Sequence, residues 1–161
     1  MITNKNPLSK DKEHDYLLRE LREKIYSLGL GMLRRTGVFH EEYIPDILTK
    51  VGAGDDDYVA IEVINDNKRM KHDIAGLIYL DENVKKAGIS CRGLIAVVTK
   101  NITNTKCVGP LTSKTPNFIL IRASEFEDIL KLLMVASAKN TLDRLGYITR
   151  YVLPKDGSGS V

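Results

Sequence analysis

The chain has 161 residues, 43% hydrophobic and 28% charged, with a formal net charge of +3. Those values fit one globular domain with a substantial core and exclude a low-complexity or strongly polyionic chain; the mild positive charge permits an acidic partner without demanding one. No apolar run nears the roughly 20 residues of a membrane span, and MITNKNPLSK lacks the apolar centre of a signal peptide. The expectation is a soluble, cytoplasmic protein, with reduced thiols at Cys91 and Cys107, whose spacing does not fit a zinc site.

In chain order, residues 1–9 read as a loose arm. Over residues 10–28, Leu17, Leu18, Leu21, Ile25 and Leu28 recur at three- and four-residue spacings. This predicts an amphipathic helix, capped by Ser9 or Asp11 and closed by Gly29. Residues 31–39 are a candidate short strand. Residues 43–51 and 58–64 read as two strands joined by a turn of Gly52, Gly54 and Asp55 to Asp57, a run expected to lie in solvent. A second helix is predicted from Asp66 or Asn67 to about Lys86, with Met70, Ile74, Leu77, Ile78 and Val84 inward. RGLIAVVT, residues 92–99, is a continuous apolar run that suits a strand buried on both faces.

Residues 101–117 are polar and predict a long loop, the mobile part of the domain. Residues 118–122 form a further short strand. A capping box from Ser124 to Glu127 opens the last helix, with Phe126, Ile129, Leu130, Leu133 and Met134 inward and Gly146 past its end. Residues 147–153 are a candidate last strand or exchanged arm, and 154–161 a flexible tail. The expected architecture is a single domain over residues 1–153, α/β in class, with a mixed central β-sheet flanked by helices.

Along residues 58–64 side chains alternate, so Val59, Ile61 and Val63 share one face and Tyr58, Ala60, Glu62 and Ile64 the other. Glu62 is thus an acid among apolar neighbours in a central strand, costly unless paired, hydrogen-bonded or metal-bound. Asp46, behind Pro45, falls on the adjacent strand of the same hairpin. Two carboxylates brought together repel unless a cation lies between them, and hard oxygen donors suit Mg²⁺ or Mn²⁺. Such an ion can polarise a phosphodiester and acidify a bound water.

The pair Pro45-Asp46, followed by Glu62 in the strand IEV, resembles the PD-(D/E)xK nuclease superfamily, which includes restriction enzymes and archaeal Holliday-junction resolvases. The order of elements over residues 10–133 matches as well: a leading helix, an acid-bearing hairpin, a crossover helix and an apolar strand. The resemblance implies a restriction endonuclease-like fold and a Mg²⁺- or Mn²⁺-dependent DNA endonuclease. It makes Asp46 and Glu62 catalytic metal ligands, joined by a further acid from the first helix, Glu20 or else Glu13. The superfamily's lysine, two residues after the second acid, falls on Ile64 here. Lys68, ahead of Lys71, is the candidate to replace it in orienting the attacking water, and a lysine placed at 64 is expected to project beside Glu62. Arg34, Arg35, Lys71 and Arg92 are expected to contact DNA phosphates.

Other readings of the same residues stay open. Asp46 can be a strand-end turn residue, Glu62 the buried partner of Lys68 or Arg69, and the run Lys68, Arg69, Lys71 and His72 a solvated helix face. Ile64 favours a protein that keeps the nuclease fold without catalysis, as a nucleic-acid-binding or interaction module. A homodimer joined through apolar helix faces and the C-terminal arm is the third reading.

Overall fold

The computed structural model describes residues 10–33 and 43–135. The expected arm over residues 1–9 with Ser9, most of the candidate strand 31–39 with Arg34 and Arg35, Gly146, the strand at 147–153 and the tail at 154–161 lie outside the described residues. The elements run α1 (Lys10–Ser27), β1 (Ile47–Lys50), β2 (Tyr58–Ile64), α2 (Met70–Lys85), β3 (Cys91–Val98), α3 (Val108–Thr112), β4 (Phe118–Arg122) and α4 (Phe126–Val135). Single 3-10 turns over Asn67–Arg69 and Ala123–Glu125 lead into α2 and α4. The strands lie side by side in the order β1-β2-β3-β4, with β1 antiparallel to β2 and the other two pairings parallel. Met32 adds an antiparallel bridge to Thr49 on the outer side of β1.

Strand alternation decides which helices cover which face. Val59, Ile61 and Val63 join Ile95, Val97, Ile119 and Ile121 against Leu21 and Ile25 of α1 and the Phe126, Ile129, Leu130 and Leu133 stripe of α4. Ala60, Ile64, Leu94, Ala96 and Val98 face the other way, against Met70, Ile74, Leu77, Leu80 and Val84 of α2 and Val108 of α3. Each of the large aliphatic side chains here stabilises the fold by about 1.5–3 kcal/mol through removal from water. The domain is therefore a mixed sheet with helices on both faces, as the apolar periodicity predicts. Gly29 ends α1 with φ +80°, in the left-handed conformation that closes a helix.

Four local expectations are corrected. The first strand is shorter than residues 43–51, because side chains rather than backbone carry its pairing at Asp46. Asp57 does not lie in solvent: it is buried, it accepts from the Gly54 N–H at 2.8 Å, and it pairs with Arg92. The stretch 101–117 is not one long loop: it buries Ile102 and contains α3. Asn67 ties down its start, its Oδ1 accepting from the Thr103 and Asn104 N–H groups at 3.1 and 3.2 Å and its Nδ2 donating to Thr103 Oγ1 at 3.0 Å. Finally, the last helix begins with Glu125 rather than Glu127 reaching back, its Oε1 accepting from Arg122 N–H at 3.2 Å.

Candidate active site

The register of β1 on β2 pairs Ile47 with Ile61, so Asp46 falls opposite Glu62. Here side chains replace the backbone ladder. The Asp46 N–H donates to Glu62 Oε1 at 2.9 Å, and the Val63 N–H donates to Asp46 Oδ2 at 2.8 Å. Both carboxyls are thereby fixed side by side at the point where the two strands part, each within the other's electrostatic reach. His14, on the inward side of α1, brings Nε2 to 3.1 Å from Asp46 Oδ2.

The environment drives the two acids apart in acidity. Glu62 is 7% exposed; burial and then the Asp46 charge push its pKa up to about 8. Burial also opposes ionisation of Asp46, but the His14 hydrogen bond, the Val63 N–H and the His14 charge outweigh it and hold the carboxyl below its ordinary value. The hydrogen bond to Asp46 in turn raises His14 to about 9, against the opposing effect of burial. At neutral pH the arrangement is an imidazolium, a carboxylate and a protonated acid in sequence. The Tyr43 ring packs on α2 at Gly76, where a Cβ would overlap it. Its hydroxyl is buried and has no hydrogen-bond partner among the described residues. Burial and the Glu62 charge push its pKa up.

These groups open on a cavity of about 420 Å³ whose polar lining includes His14, Asp46, Glu62, Asn65, Arg69 and Asp73. Asn65 Oδ1 accepts from Thr99 Oγ1 at 2.5 Å and from Asn101 Nδ2 at 3.0 Å. Asn101 Nδ2 also donates to Glu13 Oε2 at 2.6 Å, tying α1 to the loops after β2 and β3. On the opposite wall Asp73 is buried and accepts from Arg69 Nη2 at 3.2 Å.

Asp46 and Glu62 are brought together as the hairpin predicts. Other expected members of the site lie elsewhere. Glu20 points to Lys24, 3.5 Å away; the α1 residue that touches Asp46 is His14, and Glu13 joins through Asn101. Lys68 and Lys71 line a neighbouring pocket instead, and Arg69 is the cation on this cavity's wall. Ile64 does share the Glu62 face, but it is fully buried in the cluster beneath α2 and does not line the cavity. Arg92 is at the far end of the sheet: β2 and β3 are parallel, and it sits beside Asp57 where those strands begin. Its Nη1 donates to the Leu133 carbonyl at 2.9 Å, so it clamps β3 to α4 instead of meeting a phosphate. Nor is Glu62 the partner of Lys68 or Arg69, since its hydrogen bonds go to Asp46.

His14 and Tyr43 were not legible as site residues by motif. His14 carried a signal nonetheless: it lies three, seven and eleven residues before Leu17, Leu21 and Ile25, on the buried stripe of its helix. Asp73 likewise sits between Met70 and Leu77 on the inward side of α2.

Among the described residues no group of three or more His, Cys, Asp and Glu side chains is arranged to hold a metal ion. Asp46 and Glu62 are the two acids that the site brings together. No helix of the described residues is long and apolar enough to cross a membrane. No protein-family model matches the chain, and neither the curated proteins nor the solved structures include one that matches it.

Proposed function

We propose that the protein is a divalent-cation-dependent DNA endonuclease of restriction endonuclease-like fold. The observation that carries this reading is the Asp46–Glu62 pair: two acids held side by side on the wall of an open cavity, an arrangement whose electrostatic cost a Mg²⁺ or Mn²⁺ ion would relieve. The fold reading is supported by the order of elements, an antiparallel acid-bearing pair β1-β2 followed by the crossover α2 into parallel β3.

Asp46 and Glu62 would hold the ion, which when bound supplies charge to polarise a phosphodiester and acidify a water. The chain's own groups prepare that chemistry. His14 and the Val63 N–H keep Asp46 ionised and fix its rotamer, and the Asp46 N–H orients Glu62. Arg69, 60% exposed on the cavity wall, presents a guanidinium to a phosphate oxygen.

The test is cleavage of duplex, single-stranded and junction DNA with Mg²⁺ or Mn²⁺ by wild type and Glu62→Gln. Wild type is expected to cut, and the variant to lose a factor on the order of 10²–10³ or more. A wild type inert on every substrate refutes hydrolysis. One observation favours a second reading, a nuclease-like scaffold that binds nucleic acid without cutting it: Ile64 is buried where the superfamily has its lysine, and Lys68 does not line the acid cavity. That protein would bind DNA with a steep salt dependence and never cleave it.

A further inference from the structure

The turn Asn67–Arg69 has a second pocket on its other side. It also measures about 420 Å³, and Lys68, Lys71 and Lys106 line it together with Asn67 and Asn104. Among the described residues no carboxylate lines it. The acid cavity is walled by Asp66 and Arg69 of the same short segment, so one turn of chain separates a pocket of acids from a pocket of lysines.

The second pocket is a built feature. Lys68 comes from the 3-10 turn that leads into α2 and Lys71 from the first turn of α2, whereas Lys106 and Asn104 come from the loop after β3. Asn67 holds the two segments together through its bonds to Thr103 and the Asn104 N–H, and Ile102 anchors the loop in the core. Asn104 turns its Oδ1 onto the Lys106 N–H at 3.0 Å, which leaves its Nδ2 as a donor and fixes the backbone that carries the third lysine. Three like charges gathered without a lining acid repel one another, and a multiply charged anion relieves that repulsion. The positive end of α2 adds to the attraction, because Lys68 lies just before its first turn and Lys71 within it. Lysines supplied by two separate segments suit a tetrahedral oxyanion, with its charge spread over several oxygens, better than a planar carboxylate.

We propose that this pocket is a phosphate-binding subsite, and that the phosphate it takes belongs to a nucleic-acid strand whose neighbouring phosphate lies at Asp46 and Glu62. The strand assignment rests on the function proposed above; the phosphate assignment does not. Lys68 then serves as a binding residue for the strand backbone and not as the group that orients water.

Cys107 supplies a reporter, because it lines the same pocket and is half-buried, whereas Cys91 is 4% exposed. The experiment uses the full chain in EDTA, so that no cleavage is required. Inorganic phosphate and a short single-stranded DNA are titrated while the reaction of Cys107 with a thiol reagent is followed. Strand affinity is measured across salt concentrations for wild type and for the Lys68→Gln, Lys71→Gln, Lys106→Gln triple variant. The three lysines are exposed, and Asn67 stays in place, so the variant keeps its fold; circular dichroism checks this.

Both ligands are expected to slow Cys107 modification in wild type and not in the variant. Strand affinity should fall at least tenfold at low salt, with a salt slope shallower by about 2, as expected for three lost contacts on a single strand. Protection by phosphate together with unchanged strand affinity keeps the phosphate site and overturns the strand assignment, making the ligand a free phosphate compound. Absence of protection together with unchanged strand affinity overturns the subsite, while leaving cleavage at Asp46 and Glu62 to be decided by its own assay.

Discussion

Replacing Ile64 with lysine completes, on paper, the motif of the superfamily that the sequence resembles, and the structure expects it to destabilise the protein instead of activating it. Ile64 is fully buried in the cluster that holds Met70 and Ile74. Losing the isoleucine forfeits up to about 1.5–3 kcal/mol of burial, of which the lysine stem recovers a part. The ammonium is the larger cost. Kept neutral at pH 7 from an ordinary pKa near 10.4, it requires about 4–5 kcal/mol, at ~1.36 kcal/mol per unit. A net loss of roughly 4–6 kcal/mol is a large share of the 5–15 kcal/mol that holds a domain together. Urea unfolding followed by circular dichroism at pH 7 and pH 10 measures it. A lysine whose folded pKa is depressed costs most below that pKa and progressively less as pH approaches the unfolded value, so Ile64→Lys should regain stability at pH 10 relative to wild type. A variant as stable as wild type at pH 7 refutes this reasoning, because its ammonium would then have reached the acid cavity.

Glu62→Gln should stabilise the protein by about 4 kcal/mol at pH 8, at ~1.36 kcal/mol per pKa unit, and by little below pH 4.5. The sign follows from a folded pKa of about 8, above the ordinary value of 4.5: wild-type stability falls as pH rises through that window, and the amide removes the fall. A stability difference that does not change with pH would mean that Glu62 is not the acid that holds the proton. Arg92→Ala should cost ~2–4 kcal/mol by leaving Asp57 buried without its partner, yet leave the DNA affinity of the folded fraction unchanged; weaker binding by folded protein would return Arg92 to the DNA interface. Gly76→Ala, which on an open helix adds about 1 kcal/mol, should instead destabilise by ~1 kcal/mol because its Cβ meets the Tyr43 ring. Adding Tyr43→Ala should restore the helix gain, and a stabilising Gly76→Ala in the wild-type background would show that the ring moves aside freely.

What the sequence reveals here depends on how local the determining physics is. The bounds of β2 follow from alternation within seven residues, and β3 and β4 from short apolar runs, since burial of a strand is written in the strand itself. The partnership of Asp46 and Glu62 follows from hairpin register alone. The rest depends on contacts between distant segments. Glu20 and His14 are both on α1, and only the packing of α1 on the sheet places His14 at Asp46 and turns Glu20 to Lys24. Lys68 and Arg69 are adjacent in the chain, yet the 3-10 turn sends one to each pocket, a rotation that helical periodicity does not predict. Arg92 had the composition of a phosphate ligand, and Asp57, 35 residues earlier, claims it. The loop after β3 looked mobile because the side chain that orders it, Asn67, belongs to another segment.

The acid pair has no structural justification that a plainer pair of residues would not meet better. Glu62 is buried at a cost, and the Asp46 charge raises that cost. The N–H groups that the two carboxylates capture, those of Asp46 and Val63, lie at the end of a β-ladder where backbone carbonyls could have received them. Replacing a buried polar pair by apolar residues of similar volume is often neutral or stabilising by about 1–4 kcal/mol. The surrounding groups nevertheless support the pair in detail: His14 holds one acid ionised, and Gly76 admits the ring of Tyr43, whose hydroxyl faces the other. Unfavourable burial of this kind, maintained by several elements and opening on a cavity, is what a site built for a ligand or a reaction requires and what a core does not.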